Sequence, residues 1–218
     1  MIEFRDYQKD IISRGIGILK PHRFLYLAME VRTGKTLTSL GICENLHIKK
    51  VLFITKKKAI SSIQNDYELL KPDFDLVVVN YESLHKVPQV GWDVVICDEA
   101  HGMGAFPKPT GRSKKEERLI FRCNPYVILL SGTPTPEAYS QMYHQVHFIP
   151  RNPFAKYKNF YQFAKDYVAV VRKKIGGMYI NDYSKGSVKI IEDMSPYTIN
   201  FSQKDAGFVV DTKEKVLE

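Results

Sequence analysis

The sequence has no apolar run approaching the roughly 20 residues that a membrane-spanning helix needs. Its opening residues, Met1 to Asp6, lack the charged-then-apolar shape of a secretory signal. These absences lead us to expect a cytoplasmic protein with no membrane partner. Cysteine is scarce: Cys43, Cys97 and Cys123 are scattered, odd in number, and each lies in or beside an apolar stretch. That excludes a disulfide framework, and without ligand-like spacing it excludes a zinc module; the three read as reduced core thiols. His144 and His147 stand three apart on an expected helix with no third ligand nearby, so they read as packing residues. There is no internal repeat and no low-complexity segment. Acidic residues are outnumbered, 24 Asp and Glu against 32 Lys and Arg, for a formal net charge of +8. The excess sits in residues 1–60 and 151–218, and Lys49-Lys50 and Lys56-Lys57-Lys58 flank one apolar run. Such a distribution suits a polyanionic partner, with a plain solvated surface as the alternative.

What the sequence does contain is a series of short apolar runs: Phe24–Ala28, Val51–Thr55, Leu76–Val79, Asp93–Cys97 and Tyr126–Leu130. They are continuously apolar rather than alternating, as strands buried on both faces of a parallel sheet are. Helical spacing fills the intervals. Tyr7, Ile11, Ile12, Ile16 and Leu19 mark a first helix over 4–19, with Pro21 expected to end it. Further helices are expected over 37–46, 59–70 and 137–148, with a helix start at Tyr81 to Leu84. Residues 102–116, rich in Gly, Pro and Lys, read as a surface loop. After Pro150 the texture changes to an aromatic-rich helix over 154–171, a hairpin turning at Gly176-Gly177, and short β-like segments over 186–210. The expectation is an α/β fold, a parallel sheet with helices on both faces over 1–150, plus a helical and hairpin appendage over 151–218.

One stretch carries chemistry by itself. Met29-Glu30-Val31-Arg32-Thr33-Gly34-Lys35-Thr36 follows an apolar strand and opens a helix, the arrangement of a P-loop. Loop and helix-start N–H groups converge on one spot and suit phosphate oxygens. Lys35 reaches toward β/γ-phosphates, the Thr36 hydroxyl suits Mg²⁺, and Gly34 lets the backbone approach closely. The usual pattern has glycine where this sequence has Met29. Downstream, Val94-Val95-Ile96-Cys97 runs into Asp98-Glu99-Ala100-His101, an apolar strand with an acidic pair at its tip. Ligands bind at such tips in open α/β sheets. Asp98 suits Mg²⁺ through its water shell, and Glu99 suits a base for an attacking water. The next strand ends in Ser131-Gly132-Thr133-Pro134, small hydroxyl residues at a neighbouring tip.

In order, these motifs resemble the first RecA-like lobe of a superfamily-two helicase, within it the Swi/Snf group of DNA-dependent ATPases and their phage and bacterial relatives. Phe4-Arg5-Asp6-Tyr7-Gln8 resembles that group's entry motif. The resemblance implies that Gln8 reads adenine, with Arg5 and Phe4 near the ring; a Gln amide has the donor and acceptor for it. Glu30 to Thr36 is similar to the group's Glu-Met-Gly-x-Gly-Lys-Thr, in which the leading glycine is commonly absent; Arg32 replaces the inner one. The resemblance implies nucleotide contacts at Arg32, Thr33, Gly34, Lys35 and Thr36. It implies nucleic-acid backbone contacts at Thr55, Lys56 and Lys57, and at Asn80 and Tyr81. His101, Ser131, Gly132 and Thr133 are implied to couple the two functions. Tyr197 to Asp205 stands where the group has its linker.

The resemblance also implies ATP and Mg²⁺ as cofactors, DNA (duplex) as partner, a bacterial or phage-infected host cell, and a second RecA-like lobe. No Gln-x-x-Gly-Arg-x-x-Arg occurs in the 218 residues, and Gly111-Arg112-Ser113-Lys114 lies between first-lobe motifs and is no substitute. Val216-Leu217-Glu218 reads as an expression remnant. The expected function is the ATP-binding lobe of a DNA translocase or helicase, monomeric and weakly active alone. A non-hydrolysing nucleotide- or DNA-binding module, or half of an RNA helicase, stands as the alternative.

Overall fold

The structure is a computed structural model that describes residues 3–208; Val216-Leu217-Glu218 lie outside the described residues. In chain order the elements are α1 (Asp6–His22), β1 (Phe24–Met29), α2 (Lys35–Asn45), β2 (Lys50–Thr55), α3 (Ile60–Leu70), β3 (Asp75–Asn80) and β4 (Val94–Asp98). There follow α4 (Gly111–Cys123), β5 (Tyr126–Ser131), α5 (Met142–Val146), α6 (Phe160–Tyr167), β6 (Val171–Ile175), β7 (Met178–Asp182), α7 (Lys189–Met194) and β8 (Thr198–Phe201). Six strands form one sheet in the order β3-β2-β4-β5-β1-β8. Every pairing in it is parallel.

Alternate residues of the apolar strands build two cores. Leu25, Leu27 and Met29, with Val51, Phe53, Ile96 and Leu130, face Ile11 and Leu19 of α1, Leu40 and Ile42 of α2, and Ile63 of α3. Phe24, Tyr26, Leu52, Ile54, Val95 and Leu129 face Ile120 of α4, Tyr143 of α5, Phe160 and Phe163 of α6, and Ile190 of α7. The result is a helix–sheet–helix sandwich of the expected α/β class, since strands covered on both sides have no polar face to show.

Four local expectations change. Pro21 falls inside the last turn of α1, where it forgoes one N–H; the helix ends instead at left-handed Arg23 (φ 56°), whose N–H bonds to the Leu19 carbonyl. The polar stretch expected as a loop to residue 116 turns helical at Gly111, because α4 rests on Leu119 and Ile120 near its far end while its first turns are polar. Within 186–210, residues 189–194 form a helix, α7, which buries Ile190 and Met194, four apart. Thr198–Phe201 then joins the main sheet as β8, in parallel register with Tyr26–Met29. The hairpin is as expected, with Gly176 and Gly177 both at positive φ in its turn.

His144 and His147 belong to the second core. The His144 ring is buried, stacks on Phe160 at 5.6 Å, and places Nε2 3.0 Å from the Pro107 carbonyl, so that nitrogen carries the proton. Burial pushes His144 down to about 4, with the Pro107 carbonyl opposing it. The unfolded chain takes up a proton near its ordinary value of 6.5 while the fold refuses it. This contribution to stability is therefore complete above pH 6.5 and is lost as pH falls toward 4, at on the order of 1 kcal/mol per pH unit. Thermal melts of wild type and His144→Gln between pH 7.5 and 4.5 are expected to show a shallower acid decline in the variant. Parallel declines would remove His144 as its source.

Candidate nucleotide site at the strand tips

β1 delivers the chain at Met29 into a tight loop that ends where α2 begins. Arg32 (φ 64°) and Gly34 (φ 79°) take left-handed conformations that let the loop double back. Thr33 is fully buried, and its hydroxyl donates to the Glu30 carbonyl at 2.6 Å. A Cβ on Gly34 would lie 2.5 Å from Gln8 Nε2, so a side chain there would displace the Gln8 amide and also strain the left-handed backbone. The Thr38 amide donates to the Gly34 carbonyl at 3.0 Å. By helix geometry the amides ahead of Thr38 have no intrahelical acceptor and form an anion cradle.

Lys35 leaves this cradle toward β4 and β5. Its Nζ is 3.7 Å from the point a Gly132 Cβ would occupy. Burial lowers its pKa, while Asp98 and then Glu99 hold it up. A partly desolvated ammonium beside two carboxylates suits a polyanion that completes its solvation. The Asp98 carboxyl is raised mainly by burial; the Thr55 hydrogen bond and Lys35 oppose this, while Glu99 adds to it. Thr55 Oγ1 donates to Asp98 Oδ2 at 2.7 Å, and the Tyr81 hydroxyl donates to the Asp98 carbonyl.

Glu99 itself is left-handed (φ 55°), which turns its carboxylate off the strand axis. Its Oε2 lies 3.3 Å from His101 Nδ1 and 3.9 Å from Lys56 Nζ. His101 Nδ1 is also 3.0 Å from Ser131 Oγ, which accepts from the Thr133 amide at 3.1 Å. Lys35, Asp98, Glu99, His101 and Ser131–Thr133 thus meet across the tips of β1, β4 and β5.

The SNF2-related domain family matches residues 44–206. The chain belongs to the SNF2-related family. Residues 1–75 also match the family described as Type III restriction enzyme, res subunit. Among solved structures, the SWI2/SNF2 ATPase core of Sulfolobus solfataricus in complex with dsDNA superposes with a TM-score of 0.69 at 17% identity, over 96% of this chain and 47% of that one. The Pyrococcus furiosus Hef helicase domain superposes with a TM-score of 0.51 at 17% identity, over 68% of this chain and 37% of that one. At these identities the likeness is one of fold, a RecA-like lobe, and the chain spans about half or less of either structure. No curated protein matches the sequence.

In this SNF2-related lobe the residues expected to meet nucleic acid divide. Thr55 and Tyr81 are buried and donate their hydroxyls to Asp98, which turns both hydroxyls inward. Asn80 accepts from the Ser83 amide at 2.7 Å, capping a 3₁₀ turn over Tyr81–Lys86. Lys56 and Lys57 remain, the first beside Glu99 and the second exposed. Gln8 is buried, accepts from the Arg5 amide at 3.0 Å and donates to Thr38 Oγ1 at 3.4 Å. Arg5 Nη1 is 3.2 Å from the Tyr7 hydroxyl, Arg32 is exposed, and Phe4 lies against Gly41 of α2.

The sequence reading missed a brace on the P-loop. The Gln203 amide donates to Glu30 Oε2 at 2.8 Å, and Gln203 Nε2 donates to the Val31 carbonyl at 3.0 Å. Tyr7 stacks on Phe201 at 4.8 Å and donates to the Thr33 carbonyl. β8 thereby ties the loop to a segment more than 170 residues away, a separation that no local pattern marks.

Proposed function

We propose that this chain is the ATP-binding lobe of a motor ATPase, which hydrolyses ATP to move on duplex DNA when a second lobe closes over it. The observation that carries the reading is that the Lys35 ammonium, which follows β1 and reaches Gly132 at the tip of β5, feels both Asp98 and Glu99 at the tip of β4 on the far side of that strand. The α2 cradle and Lys35 hold the phosphates, with Thr33 and Gly34 shaping the loop and Arg32 at its rim. Gln8 and Arg5 stand at the entry side, where the adenine goes.

The residues fit Mg²⁺. Thr36 and Asp98 offer the oxygen donors it takes, phosphate oxygens and waters supply the rest, and no three-residue His, Cys, Asp or Glu cluster forms a different site among the described residues. Bound there, Mg²⁺ would neutralise charge on the phosphates. Thr55 and Tyr81 fix the Asp98 side chain and backbone. Glu99 accepts the proton of the attacking water, and His101 holds Glu99 while touching Ser131. Lys56, close to Glu99, links this base to the DNA edge formed with Lys57. Arginines of the second lobe are worth about 10³–10⁵ in rate in such enzymes, so this chain alone turns over slowly.

The test is a titration of duplex DNA into the chain over a series of salt concentrations. The logarithm of affinity is expected to fall linearly with that of salt, and Lys56→Ala with Lys57→Ala to reduce the slope by about 1.8. Affinity indifferent to salt, or a slope untouched by the double variant, would overturn the DNA reading at this edge.

A further inference from the structure

The β6–β7 hairpin carries exposed side chains on both of its faces. Its register pairs Arg172 with Asn181 and Lys174 with Tyr179, so these four side chains share one face. The other face carries Val171, Lys173, Met178, Ile180 and Asp182. There Lys173 is spent: its Nζ lies 2.5 Å from Asp182 Oδ2. On the first face Arg172 and Lys174 are exposed and have no acidic partner among the described residues. Tyr179 is 68% exposed directly opposite Lys174, whose Nζ lies 6.0 Å from its ring centroid, and Arg172 is two residues further along the same face. A two-stranded ribbon without cover gains little from burial. A large exposed ring sharing one face with two cations that have no acidic partner is not accounted for by folding.

The root of the hairpin gives it an address. Ser140 Oγ donates to the Tyr183 carbonyl at 2.8 Å, and a Cβ on Gly186 would come within 2.6 Å of the Ser140 amide nitrogen. Ser140 lies on the segment that leaves the tip of β5 after Ser131–Thr133. That segment is also backed by Gly104, beyond the tip of β4, whose Cβ would lie 3.0 Å from the Gln141 carbonyl. The hairpin therefore springs from the end of the sheet that carries Lys35, Asp98 and Glu99.

We propose that this face is a second nucleic-acid contact, which takes a single-stranded DNA segment with phosphates on Arg172 and Lys174 and a base on Tyr179. A duplex offers phosphates but keeps its base faces stacked on one another, whereas a single strand leaves a base free for the exposed ring. The cations satisfy the charge and the ring supplies contact without sequence preference. The proposal rests on the DNA reading above and extends it to a strand outside the Lys56–Lys57 edge.

The experiment uses the chain as it stands, a fluorescent 20-nucleotide oligothymidylate and a 20-base-pair duplex. Tyr179→Ala is expected to weaken oligothymidylate binding on the order of tenfold, with Tyr179→Phe retaining wild-type affinity. Arg172→Ala with Lys174→Ala is expected to reduce the salt slope for the single strand by about 1.4. Circular dichroism melts of these exposed variants are expected to match wild type. If the hairpin variants bind oligothymidylate as wild type does while Lys56→Ala with Lys57→Ala weakens the duplex, the hairpin proposal falls and the DNA reading stands. If wild type binds neither DNA, the DNA reading falls with it. Equal losses on both DNAs would overturn the single-strand assignment. Variants that alter only self-association would make the hairpin a protein contact and overturn it too.

Discussion

Lys35→Ala is expected to raise the dissociation constant for a fluorescent ATP analogue about 10- to 150-fold while leaving the melting temperature of the free chain unchanged or higher. The binding loss follows from removing one charge-assisted contact to phosphate, worth about 1.5–3 kcal/mol. The stability half follows from where the ammonium sits. Burial already depresses its pKa, so the empty fold holds a charge poorer in solvent than it would be in water, with Asp98 and Glu99 only partly compensating. Deleting it relieves that cost, and the fold loses little packing at a cleft rim. A lysine kept for the fold behaves in the opposite way: its removal lowers the melting temperature and spares the ligand. Titration with the analogue and a thermal melt on the same protein therefore separate the two roles. Unchanged nucleotide affinity would remove the P-loop assignment, and with it the proposed function.

How much of this site was readable beforehand depends on distance along the chain. Met29–Thr36 and Asp98–His101 are contiguous, and a strand tip followed by a tight turn fixes both position and direction, so Lys35, Asp98 and Glu99 meet where their patterns place them. Thr55 and Tyr81 lie at tips too, but pattern alone does not say which way a tip residue points. Thr55 is the last residue of β2, its neighbour β4 ends in the half-buried Asp98, and a carboxylate there without a donor would be costly. The hydroxyl turns inward, and the proposed DNA edge contracts to Lys56 and Lys57. Elsewhere the losses have a similar cause. Only at its far end does α4 show an apolar face, so its polar first turns carry no period. β8 is four residues long, and what makes it a strand is the free edge of β1, a tertiary fact. The Gln203 brace exists only because β8 is there.

Phe163→Ala is expected to destabilise the whole chain by about 3–5 kcal/mol, a large share of a typical folding free energy of roughly 5–15 kcal/mol. Phe163 is fully buried, lies 4.8 Å from the rings of both Tyr143 and Tyr167, and meets Phe154 edge-on at 5.0 Å. Each neighbour is itself large and held by others, so the cavity has no small side chain free to collapse into it. The consequence reaches beyond one helix. Tyr143 belongs to α5 and shares a continuous core with Tyr26, Ala28, Val95 and Leu129 of the sheet, while Phe154, Phe163 and Tyr167 come from the stretch expected to be an appendage. Two architectures make different forecasts. In a detachable 151–218 unit, Phe163→Ala would produce an early transition and leave the main melt in place. In a lobe that includes α6 and β8, one cooperative transition shifts as a whole, and the denaturant midpoint falls with the slope unchanged. The shared ring cluster and the parallel β1–β8 pairing argue for the second. Under it, the Gln203 brace is released only when the sheet itself opens, so urea unfolding followed by nucleotide affinity is expected to lose both in one step.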